Sequence, residues 1–173
     1  MNTADLLGSL QKDARNMSIA DLMKARAFMV RSASGLPKKY REAYSTELFN
    51  YLYTIFTDIS NLKRPEKNET INAEEYDDLI KRLNKMGVSE DQNQEYFNKL
   101  VNLTALYLVF IVKKPIHPIG MVFPGGDQVL EKDGTYYCPV KDKQNDVECA
   151  LCKFCICRDA EEMVKGDKWK MEV

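Results

Sequence analysis

Four of the five cysteines fall in the nine residues CALCKFCIC, as Cys149, Cys152, Cys155 and Cys157, and the fifth, Cys138, lies eleven positions before them in YYCPV. Cys149, Cys152 and Cys155 make two overlapping CxxC pairs, a spacing that lets two sulfurs turn toward one ion. With Cys138 as a remote arm, the set of Cys138, Cys149, Cys152 and Cys155 supplies four thiolates for tetrahedral zinc. It equally supplies a 4Fe-4S cluster, for which three close cysteines and a distant one followed by proline, here Pro139, are a suitable arrangement. Cys157 stands at the wrong spacing for the ferredoxin-type run and is left outside the set. His117 is the sole histidine, in the rigid stretch PIHP. It competes with Cys149 for the fourth place, in a site of three cysteines and one histidine with Cys138, Cys152 and Cys155.

The bland reading makes these cysteines small buried hydrophobes, a common fate of a free thiol. Their clustering, with none in the first 137 residues, argues against it. A thioredoxin-type redox CxxC belongs after a strand of a parallel α/β fold, and no such pattern is present. Other motifs carry less. FPGGD (123–127) offers two glycine amides to an anion but lacks the Lys-Ser/Thr ending of a phosphate loop, so it reads as a tight turn. Glu74, Glu75 and Asp78 fall at the start of a helix, where the macrodipole alone favours acids. Asp127, Lys141 and Asp142 are the groups available for chemistry around a metal at His117 and the thiols.

The strings HPIGMVFPGG, YYCPVKDKQ and ALCKFC resemble an uncharacterised family of small proteins from methanogenic archaea. The resemblance spans about 40 residues and implies that His117, Cys138, Cys152 and Cys155 are the recurring ligand types. It supplies no activity. A methanogen source also favours iron–sulfur chemistry, because such cells are anaerobic and rich in these clusters.

The elements that must position these residues are mainly helical. Ser18 and Asp21 cap a helix whose apolar stripe reads Ile19, Leu22, Met23, Ala27 and Val30, stopping near Gly35. From Pro37 a longer helix carries Tyr40, Tyr44, Leu48, Tyr51, Leu52, Ile55, Ile59 and Leu62, broadened by Phe49, Tyr53 and Phe56. KRPEKNET (63–70) is a loop. Asn72 and Glu75 cap a helix bearing Tyr76, Leu79, Ile80 and Leu83 and closed by Gly87, and Ser89 with Gln92 opens another that ends at Pro115. Residues 115–139 then hold four of the six prolines and four of the eight glycines, which excludes a regular helix. TYYCPV has room for a short strand and RDAEEMVKG for a last helical turn. The expected fold is a bundle of four to five helices over 1–114, followed by an irregular, metal-stapled segment over 115–173 with at most short strands, packed on it as one unit. Such a segment has too few apolar runs to offset its chain entropy unaided.

Composition narrows the function classes. The 173 residues carry 25 basic and 26 acidic side chains, with 15 of each sign up to residue 112 and 10 against 11 beyond it. Neither half has the basic footprint of a nucleic-acid binder. The N-terminal sequence lacks the pattern of a secretory signal, and the longest apolar run, LYLVFIV (106–112), is far short of the about 20 residues that span a bilayer. These features point to a cytoplasmic protein with reduced thiols. The leading expectation is a structural zinc site in an interaction or regulatory module, whose surface binds a protein partner or small molecule. The alternative is an enzyme or electron carrier with a functional iron–sulfur cluster or an open zinc position.

Overall fold

The computed structural model describes residues 1–86, 89–144, 147 and 150–163. Gly87, Cys149 and the end of RDAEEMVKG lie outside them. Helix α1 (Thr3–Arg15) opens on a capping box between Asn2 and Asp5. Sequence reasoning passed over this helix, although its Asn-x-x-Asp start was available as a signal. Gln11 on α1 donates to the carbonyls of Ile59 (3.0 Å) and Leu62 (2.7 Å), satisfying the C-terminal end of a second helix with a side chain of the first.

Helix α2 (Ile19–Ala33) has the expected Ser18–Asp21 capping box, but not the expected buried face. Ile19, Met23 and Val30 are 75%, 44% and 52% exposed, whereas Leu22, Ala25, Met29 and Ala33 are in the core. The inward stripe is poor in bulk because two of its members are alanines, so the larger apolar residues on the outer face dominated the pattern. Phe28 of α2 meets Phe97 of α6 with ring centroids 5.0 Å apart.

Helix α3 (Lys38–Glu42) runs through a π-helical turn at Ala43–Glu47 into α4 (Leu48–Asn61). The wide turn suits the spacing of Tyr40, Tyr44 and Leu48: four-residue steps exceed the α-helical repeat, and an inserted residue brings Ala43 and Leu48 back to one face. From there Leu48, Phe49, Leu52, Ile55, Phe56 and Ile59 are buried. Helix α5 (Ala73–Asn84) starts at the Asn72 cap and buries Leu79 and Leu83. Helix α6 (Gln92–Leu106) is capped by Asp91, whose side chain accepts from the Asn93 N–H; the expected Ser89–Gln92 box is replaced by Ser89 bonding to Gln94 and to the Asp91 N–H. A second π turn, Tyr107–Val112, extends α6, and the left-handed Lys113 (φ 51°) ends it two residues before Pro115. The span Gln92–Val112 is long and apolar enough to cross a membrane by length and composition. Its Leu100, Leu103, Ala105 and Leu108 are packed inside the bundle instead.

Beyond the bundle a small sheet forms from β1 (Leu130–Lys132), β2 (Thr135–Cys138) and β3 (Arg158–Asp159), in the order β1-β2-β3. The hairpin between β1 and β2 turns on Asp133 and Gly134, both at positive φ (52° and 76°), the conformation that an Asp-Gly pair adopts readily. β3 runs parallel to β2, with Cys138 opposite Asp159. Met121, Leu151 and Phe154 pack against the same core as the helices. The protein is thus mainly helical with an irregular C-terminal region of short strands.

Candidate functional site

Three stretches of chain meet at the thiols. β2 delivers Cys138 at its end, where it is 5% exposed, and the Val140 N–H turns back onto its sulfur. A short 3-10 turn, Cys152–Phe154, followed by extended backbone at Cys155, sets out Cys152, Cys155 and Cys157. The chain bends at Cys155 and Ile156, and Cys155 packs against the small cluster that holds Cys157, close enough for each sulfur to bear on the ionisation of the other. The third stretch is the Pro-flanked loop, whose Ile116 N–H also points at Cys155. Cys157, left outside the set by sequence reasoning, is 4% exposed and shares a small apolar cluster with Val129 and Cys138. Its signal was the CxC spacing, which brings two sulfurs together only when the local backbone turns them to one side.

Lys141 closes the arrangement. Its ammonium donates to the carbonyls of Cys152 and of Cys155, the latter at 2.7 Å, and so holds both ends of the turn between the two thiols. Its charge lies near all four sulfurs and favours their ionised forms. The thiols differ in consequence. The adjoining Cys157 thiol, with two backbone N–H groups and Lys141, outweighs burial and holds Cys155 below the usual thiol range. Cys157 moves up because the adjoining Cys155 sulfur favours its protonated form, because it is buried, and because it faces the charge of Cys155. Burial raises Cys138 and Cys152, and the charge of Cys155 adds to the rise.

The bundle provides the floor. Tyr51 on α4 donates to the Pro115 carbonyl at 2.5 Å, next to the Ile116–His117 step, and its hydroxyl is pushed upward by burial and by the nearby charges of Cys155 and Cys157. Tyr40 on α3 accepts the Gly125 N–H at 3.0 Å. In FPGGD the Gly126 N–H goes to Phe123, so both glycine amides have partners and the stretch is a tight turn rather than an anion cradle. Arg82 on α5 donates to the Ala150 carbonyl at 2.8 Å and lies over the Phe154 ring. His117 sits edge-on to Phe123, ring centroids 5.4 Å apart, and burial lowers it to about 4. It is therefore neutral, the form in which an imidazole ligates.

Among the described residues, no three His, Cys, Asp or Glu side chains form a group ready to hold an ion. Cys138, Cys152, Cys155 and Cys157 are all free thiols. On the face of the bundle by α5 and the end of α6, Cys155 lines a cleft of about 440 Å³ with Phe154, Ile156, Lys113 and Lys153. A second cleft, of about 460 Å³, lies among α1, α5 and α6 and contains no thiol.

Fold and site together define a small helical protein whose thiol-rich C-terminal segment is fastened to its bundle. The chain belongs to the archaeal family described as "Uncharacterized protein conserved in archaea (DUF2115)", whose model matches residues 2–160. A UPF0305 protein of Methanococcus maripaludis strain C7 is 35% identical over 164 residues, covering 94% of this chain and all of the relative. One from Methanocaldococcus jannaschii is 34% identical, over 94% of this chain and 99% of its own length. A more distant one, from Methanopyrus kandleri, is 28% identical over 74% of this chain and 89% of its own. No solved structure matches.

Proposed function

We propose that the thiol segment is a metal centre that staples residues 115–173 onto the helical bundle of residues 1–114, making one unit. In this reading Cys138, Cys152 and Cys155 are ligands and Cys149 or His117 is the fourth. The observation that carries it is the meeting of three separate stretches near the sulfurs, with the Lys141 ammonium bonded to the Cys152 and Cys155 carbonyls and its charge, together with backbone N–H groups, close to the Cys155 sulfur. Donors of this kind stabilise thiolate, the form that ligates. The side chains would complete their arrangement as the ion binds, since ligand sites of this sort commonly assemble with folding. The ion that suits a closed four-ligand site with no position for chemistry is zinc. The role that follows is an interaction or regulatory module in the cytoplasm, whose surface meets a protein or small-molecule partner.

A second reading, a functional 4Fe-4S cluster or an open zinc position, draws on one observation: Cys155 lies in the wall of a cleft rather than sealed in the core. Elemental analysis of protein purified without oxygen separates the two. One zinc per colourless chain, lost in Cys138→Ser, Cys152→Ser and Cys155→Ser, is the expected result. A brown protein bleached by dithionite would move the assignment to the cluster, and a metal-free folded protein would remove both readings. Comparing Cys149→Ser with His117→Gln identifies the fourth ligand.

A further inference from the structure

We propose that Cys155 and Cys157 form a dithiol–disulfide exchange site, with Cys155 as the attacking thiol, Cys157 as the resolving thiol and a low-molecular-weight disulfide as the substrate. The metal reading leaves Cys157 with no task, yet Cys155 packs against the buried cluster that contains Cys157, so the two groups that would bond lie side by side. Their accessibilities suit the division of roles. Cys155 is partly exposed in the wall of a cleft of about 440 Å³, while Cys157 is buried behind it. A disulfide entering the cleft meets Cys155 first. The cleft wall next to Cys155 is formed by Phe154 and Ile156, a surface for the apolar carbons that flank a disulfide.

The exchange balances without a further reactant. The Cys155 thiolate attacks one sulfur of the substrate disulfide, forming a mixed disulfide and expelling the first substrate thiolate. The Cys157 thiolate then attacks the Cys155 sulfur, forming the Cys155–Cys157 disulfide and expelling the second. The protein sulfurs are oxidised, the substrate disulfide is reduced, and the protons of the two protein thiols end on the released thiols. The Lys141 bonds to the Cys152 and Cys155 carbonyls hold the turn in place during attack. Where Cys155 is a metal ligand, a part of the inference that rests on the proposed metal centre, the exchange also withdraws that ligand and frees the ion.

The test uses the full chain, reduced, stripped of metal with chelator and kept under anaerobic conditions, with 2-hydroxyethyl disulfide as the probe. Peptide mapping by mass spectrometry is expected to show an internal Cys155–Cys157 disulfide with no adduct retained. Cys157→Ser is expected to stop at a stable adduct on Cys155, and Cys155→Ser to abolish reaction in this segment. A wild-type protein that does not react, that retains the adduct, or that pairs Cys155 with Cys138 or Cys152 would overturn the proposal. Because the wild-type map decides by itself, a variant that fails to fold does not rescue it. Ion content of the reduced wild type is measured separately: a protein that binds no ion but forms the disulfide removes only the metal centre. One that binds an ion but forms no disulfide, loaded or stripped, removes only the exchange site.

Discussion

Lys141 and His117 show how much of the site rests on single side chains. The Lys141 ammonium is held by carbonyls at both ends of the Cys152–Cys155 turn, and hydrogen bonds to a charged group contribute about 1.5–3 kcal/mol. Lys141→Met is expected to destabilise the reduced protein by about that amount in urea unfolding; a change of only a few tenths would show that water serves these carbonyls equally well. His117 makes a prediction about pH. Burial lowers it from 6.5 to about 4, so the unfolded chain takes up a proton at a pH where the native protein does not. Stability measured on metal-free protein should therefore fall as pH drops from about 6.5 to about 4 and level off below, and His117→Leu should flatten that part of the profile. Residue type and spacing made Cys138, Cys152, Cys155 and His117 visible in advance. Lys141 was noted only as a neighbour and Tyr51 only as an apolar position, because both bond to backbone carbonyls, whose location depends on the fold and not on any local pattern.

At the scale of elements, α2 is the informative case. Its caps were legible because capping is a local exchange between Ser18 and Asp21. Its buried face was not, because two of the four buried positions are alanines while the bulkier Ile19, Met23 and Val30 point outward. Ala25 is wholly buried, so Ala25→Leu should overpack the helix contact and cost about 1–3 kcal/mol. Met23→Ser on the outer face should stay within about 0.5 kcal/mol. Thermal or chemical denaturation of the two variants checks the assignment, and the opposite order would return the core to the Ile19–Met23 side. The Asp133-Gly134 hairpin was legible in principle, as Asp-Gly is a strong turn signal. The parallel β2–β3 pair was not, since it joins residues twenty-one positions apart through a segment without periodicity.

At the scale of the whole molecule, the bundle and the thiol segment are held together by a few identifiable contacts. Phe154 is buried in the helical core, Tyr51 holds Pro115, Tyr40 holds Gly125 and Arg82 holds Ala150. If an ion completes that attachment, chelation should expose residues 115–163 to protease while most of the helical circular-dichroism signal persists. Simultaneous loss of the helices would mean instead that bundle and segment form a single cooperative unit. The positions of the tyrosines also bear on the order of events as the chain is made. Tyr40 and Tyr51 lie on one continuous helical stretch, Lys38–Asn61, that leaves the ribosome well before the partners they receive at Gly125 and Pro115. Since N-terminal portions generally fold first during synthesis, the thiols emerge onto a scaffold that already has the docking points for the loop beside them. If an ion completes the segment, its delivery is a finishing step, and a cell short of the ion would accumulate a folded helical body with an unfinished tail.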